Sequence, residues 1–136
     1  MKENFVTYKQ ALALKELGFD EPCLAFFLNT GKFYTTVEYP HSITYHKQNQ
    51  LGDYNYDSTS APLKQDIFKW FREVHKIHGS YGTTSDSREE INGYCISNFI
   101  DGNRNYLHIN WEVGTYEEAE SACIDELISI IKEKKS

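Results

Sequence analysis

At 136 residues, with a net charge of −6 and a pI near 5.3, the chain as a whole repels nucleic acid and anionic membrane, so bulk binding to either is not expected. Its 40% hydrophobic and 15% aromatic content excludes a disordered chain, which could not offset ordering entropy by burial. No apolar run approaches the ~18 residues that span a bilayer, and MKENFVTYKQ lacks the apolar centre of a signal peptide; the expectation is one domain over 1–136 in the cytoplasm.

Thr7-Tyr8-Lys9-Gln10 has the form of a capping box and opens a helix through ALALKEL to Leu17. Gly18 ends it, and Phe19 is placed to fold back in a Schellman-type contact. Cys23 to Leu28 is apolar on both alternating faces. Asn29-Thr30-Gly31 then leads to a second strand-like run, Lys32 to Tyr39, which reads as a hairpin turning on Gly31. A strand apolar on both faces needs cover on both, so Cys23 to Leu28 is expected to be an interior strand or part of an interface.

From Pro40 to Ser60 every periodicity breaks. This stretch is rich in Tyr, Asn, Gln, Ser and His, and a loop of about twenty residues is either mobile or functional. Tyr45, His46, Tyr54 and Tyr56 are its candidate recognition residues, because Tyr supplies amphipathic contact area at low entropy cost.

The stretch Ala61 to Gly79 is expected to be the central helix, with Pro62 at its first position and Gly79 at its end. Leu63, Ile67, Trp70, Phe71, Val74 and Ile77 form its buried stripe. Phe68 falls off that stripe among Lys69, Arg72, His75 and Lys76. These five residues make a candidate aromatic and cationic face, a local basic patch inside an acidic chain.

Ser80 to Glu90, rich in Gly, Ser, Thr and Asp, offers at most a short strand. Ile91 to Ile100 reads as a strand with Tyr94, Ile96 and Ile100 on one face and Cys95 and Phe99 on the other. Asp101-Gly102 marks a type I′ hairpin turn. Its partner, Tyr106 to Val113, alternates cleanly, and the pattern places Leu107, Ile109, Trp111 and Val113 inward and Tyr106, His108, Asn110 and Glu112 outward. Tyr106 and His108 therefore join the candidate ligand-binding set. Thr115-Tyr116-Glu117-Glu118 is a second capping box, opening a helix to about Lys134 with Ala119, Cys123, Leu127, Ile130 and Ile131 on its main stripe. The fold class expected is α+β: an antiparallel sheet of four to five strands with three helices, in the order α-ββ-α-ββ(β)-α.

The three cysteines, Cys23, Cys95 and Cys123, are widely spaced among apolar neighbours and read as reduced, buried thiols. His75 and His78 are three apart, but no third ligand lies at a supporting distance in sequence, so neither a metal nor a cofactor is expected. The chain carries no G-x-S-x-G, no Gly-rich phosphate loop and no H-E-x-x-H. An enzyme assembled from dispersed residues would leave no local motif and stays open as an alternative.

The runs YKQALALKELGFDEPC (8–23), APLKQDIFKWFREVHKIHG (61–79) and WEVGTYEEAESACIDELISIIKEK (111–134) resemble those of small uncharacterised proteins encoded by phages and prophages of gut Bacteroidales. The last strand followed by TYEEAESAC is also similar, more loosely, to small phage domains built as an α/β/α sandwich. The resemblance implies a phage-type accessory protein acting in the cytoplasm of a bacterial host, and it brings no activity and no catalytic residues.

The function expected is non-enzymatic binding that acts on a host pathway, by sequestering a small nucleotide-like signal in a counter-defence role. A protein–protein inhibitor or adaptor using the outward sheet face, and a hydrolase with a dispersed site, are the alternatives. A homo-oligomer is expected, because the doubly apolar strand and the narrow Ala119-Ala122-Cys123 helix both ask for cover.

Overall fold

The computed structural model describes residues 2–35, 58–86 and 89–135. Among these residues it contains three α-helices and six strands, the strands falling in two three-stranded antiparallel sheets. The α+β class is as the sequence leads one to expect and the order of elements roughly so: an additional strand precedes the central helix, six strands are formed rather than four or five, and they make two sheets rather than one. The chain divides into two compact units, Met1–Asp66 and Ile67–Ser136, with the division inside the central helix.

In the first unit, Thr7 caps α1 (Tyr8–Glu16) reciprocally: its Oγ1 accepts the Gln10 N–H at 3.2 Å, while its own N–H donates to Gln10 Oε1 at 3.0 Å. Gly18, at φ 95°, closes the helix. Its N–H donates to Lys15 O at 3.1 Å and the Phe19 N–H donates to Leu14 O at 3.0 Å, the two bonds of a Schellman motif. Phe19 is buried by the return.

β1 (Ala25–Leu28) pairs with β2 (Phe33–Thr35) across a turn that uses Gly31 at φ 85°. Its other edge is taken by β3 (Ser58–Ser60), so the doubly apolar strand is the middle one of the order β2-β1-β3. β3 lies at the end of a stretch expected to be loop. Its Ser-Thr-Ser sequence has no apolar alternation, and what seats it is the ladder offered by β1. All three of its residues are buried.

The second unit takes most of α2 (Lys64–Val74). Ile67, Trp70, Phe71 and Ile77 are buried as the stripe requires, but Val74 is 54% exposed. The helix ends three residues earlier than a stop at Ile77 would place it, because Lys76 enters the left-handed region at φ 60° and the Ile77 N–H reaches back to Phe71 O at 3.2 Å. Gly79, expected to end the helix, lies instead in β4 (His78–Asp86). A Cβ there would meet Leu127 Cδ1 at 2.9 Å and Cys123 Sγ and Phe68 Cδ1 at 3.0 Å, so glycine is required for close packing rather than for a turn.

β4, β5 (Glu89–Ile100) and β6 (Asn103–Val113) form a meander in that order. Asp101 at φ 51° and Gly102 at φ 81° make the expected turn between the last two. α3 (Tyr116–Lys135) starts at a second reciprocal box, with Glu118 N–H to Thr115 Oγ1 at 3.1 Å and Thr115 N–H to Glu118 Oε1 at 3.3 Å. Ala119, Cys123, Ile124, Leu127, Ile128 and Ile131 bury its inner stripe against the sheet, and Ile130 is half-buried.

Over residues 107–111 the orientation of β6 is the reverse of the expectation, while Tyr106 and Glu112 stay exposed because register shifts between Ile96 and Ser97 and between Asn92 and Tyr94 change the phase of the strand. Tyr94 and Ile96 of β5 are buried on the α3 side, and their partners across the ladder are Asn110 and His108. His108 and Asn110 therefore turn towards the helix, and Leu107, Ile109 and Trp111 are exposed. A period-two pattern separates two faces of a strand but does not say which one a helix covers. Both faces of β5 are apolar, and α3 covers the one carrying Tyr94 and Ile96.

Candidate functional site

Phe68 does not belong to an exposed face. It is 4% exposed, its ring is stacked on Tyr81 at 5.2 Å, and Tyr81 continues to Tyr116 at 5.2 Å while donating its hydroxyl to Glu120 at 2.5 Å. The residue left the apolar stripe of α2 because β4 meets the helix at Gly79, where the missing side chain makes room for the Phe68 ring. The aromatic half of the proposed helix face is thus core.

The cationic half remains. Lys69, Arg72 and Lys76 are exposed, with Lys69 in a 4.0 Å ion pair to Glu73. Arg72, His75 and Lys76 follow one another across the end of α2. His75 is half-buried, edge-on to Trp70 at 4.8 Å and tilted against Phe71 at 5.7 Å. Burial holds its imidazole below the usual histidine range, and the charges of Lys135 and Lys134 press it further in the same direction. Those two charges bring the last turn of α3 to the same corner. Lysines in a final turn complement the helix macrodipole, so the sequence places them there for local reasons. His75 Nε2 is buried without a hydrogen-bond partner among the described residues.

Over 69–76 and 132–135, six Lys or Arg residues stand against two carboxylates, Glu73 and Glu133, in a chain whose net charge is −6. Comparison with protein-family models, with curated proteins and with solved structures gives no match. The chemistry of the corner is that of exposed cations on two helix ends and one imidazole whose charging burial and the two α3 lysines oppose.

Among the described residues, the remaining candidates Tyr106 and His108 lie elsewhere. Tyr45, His46, Tyr54 and Tyr56 lie outside the described residues. Tyr106 is exposed on the face of β6 turned away from α3, beneath the Arg104 guanidinium at 6.0 Å. His108, expected outward beside it, faces α3, stacked on Tyr94 at 5.6 Å with Nδ1 3.8 Å from Glu126 Oε1. His78 parts from His75 in the same way, meeting Phe99 edge-on at 5.3 Å.

Two groups of residues were missed by sequence reasoning. Lys134 and Lys135 could not be placed near His75 without the tertiary packing. Arg104 could have been found, because the Asp101-Gly102 turn fixes the register Ile100↔Asn103 and Phe99↔Arg104, and so sets the guanidinium 5.3 Å from the Phe99 ring.

Proposed function

We propose that the chain is a non-enzymatic binding protein, a phage-type accessory protein acting in the cytoplasm of a bacterial host, that holds a small anionic, nucleotide-like ligand at the corner where α2 and α3 end. The observation that carries this reading is that the charges of Lys134 and Lys135, in the last turn of α3, act on His75, which Arg72 and Lys76 flank in sequence at the exposed end of α2, in an acidic chain. Guanidinium and ammonium groups give charge-assisted hydrogen bonds to phosphate, Arg in a bidentate form. The unpartnered His75 Nε2 adds a neutral hydrogen-bonding atom beside them.

Calorimetry against cyclic and linear nucleotides, with inorganic phosphate as the minimal anion, tests the reading. Binding is expected, and Arg72→Glu with Lys76→Glu should weaken it by about a hundredfold, two charge-assisted contacts at about 1.4 kcal/mol each. A well-folded sample that binds none of the panel, or a double variant that binds as tightly as the parent, overturns it. Capture of a stoichiometric host protein that survives the double variant would move the function to inhibition of a protein partner.

A further inference from the structure

The face of the β4-β5-β6 sheet turned away from α3 carries large apolar side chains: Phe99 is 49% exposed, Tyr106 53%, Leu107 39%, Ile109 51% and Trp111 41%. Scattered apolar residues are ordinary on a surface, but five on two paired strands form one contiguous patch of the kind that marks an interaction surface.

The charge along the patch has a direction. At the hairpin end, Arg104 lies over the Phe99 and Tyr106 rings. At the other end, Trp111 and Glu112 are the two residues that a bulge sets against the single Gly93, and Glu112 is exposed. Residues 104 and 112 are equidistant in sequence from 108, next to Ile109. A two-fold axis near Ile109 therefore superposes the cation of each copy on the carboxylate end of the other, with apolar side chains between.

The size agrees with a reversible contact. Eleven residues of strand cover about 37 Å, and three strands about 14 Å, giving roughly 500 Å² of face and about 1,000 Å² between two copies. That is close to the lower bound for a specific protein interface. Edge-to-edge extension of the sheet is the less favoured route, because β6 is an edge strand broken by two register shifts, and the Asn110 side chain already accepts the Glu112 N–H at 2.9 Å.

We infer that this face is the self-association surface of the protein, two copies stacking their sheets face to face in antiparallel array with Arg104 of each against Glu112 of the other. The inference is independent of the ligand reading, since no residue of the Arg72–Lys76 corner takes part.

Sedimentation velocity of the full chain across micromolar concentrations tests it. A concentration-dependent monomer–dimer equilibrium is expected, with Ile109→Glu monomeric throughout and its circular dichroism and melting transition unchanged. Arg104→Glu and Glu112→Arg should each raise the dissociation constant at least fivefold, and the two together should bring it back towards the parental value. A parent chain that stays monomeric at every concentration, or a dimer indifferent to Ile109→Glu, overturns the inference. A charge exchange that fails to restore association overturns the antiparallel arrangement. A monomer whose Trp111 emission shifts on adding anionic vesicles would give the face to a lipid surface instead.

Discussion

Cys23 and Cys123 are buried, and burial pushes both thiols up to about 12, with Asp66 and Glu21 adding to the effect at Cys23 and Cys95 at Cys123. The thiolate is the reactive form, so at about pH 8 these two groups should react with a disulfide reagent only as fast as the chain opens, while the half-buried Cys95 labels first in dilute solution. Stopped-flow labelling with mass mapping checks this; fast modification of Cys123 in the native state would contradict it. His75 gives the opposite kind of signal. Its folded pKa is lowered, so between the ordinary histidine value and the folded one the unfolded chain binds more protons. Stability from this group is therefore complete above about pH 6.5 and is lost as pH falls through that window. Denaturant melts at pH 7 and pH 5 should show the parent losing more than His75→Asn. Equal losses would mean that the imidazole is solvated. Burial of the two thiols could be anticipated from their apolar flanks, whereas the shift at His75 could not, because its causes include two lysines about sixty residues away.

The clearest successes of sequence reasoning are at helix ends, because a cap is made by residues within a turn of one another. Both Thr-opened boxes and the Gly18 stop are formed as written in the chain. Thr115→Ala should cost about 1 kcal/mol, the ordinary worth of an N-cap, read from the urea midpoint. Gly79 reads in sequence as a helix stop because a helix stop and a close approach between elements both demand glycine, and only packing distinguishes them. Gly79→Ala should destabilise by about 1–3 kcal/mol, because its Cβ would press on Leu127, Cys123 and Phe68 together. A neutral Gly79→Ala would show that the sheet can move away from α3 at little cost. β3 is not foreseen, and β4 is foreseen only as at most a short strand, because Ser, Thr and Gly carry no hydrophobic period. Their strands are made by the ladders of β1 and β5, which are not local.

For the whole molecule, the acidic balance and the basic corner work against each other, and salt separates them. A ligand held by exposed cations should lose affinity steeply between low salt and 0.5 M NaCl, since the screening length falls from about 10 Å at 0.1 M towards about 3 Å at 1 M. Calorimetry of the nucleotide panel at two salt concentrations reads the effect directly, and a salt-independent affinity would place the ligand in an apolar site elsewhere. By itself the sequence determined the α+β class, the rough order of the elements, both capped helices, the Asp101-Gly102 turn, the need of the doubly apolar strand for cover on both faces and the cations of α2. All of these are local or follow from burial need along one element. Only the tertiary structure decided that the strands divide into two sheets, that Phe68 is core, that α3 brings Lys134 and Lys135 to His75, and that β6 turns His108 inward and Trp111 outward. Each of these depends on which face of an element a distant one covers, and a periodic pattern is symmetric to that choice until the packing breaks it.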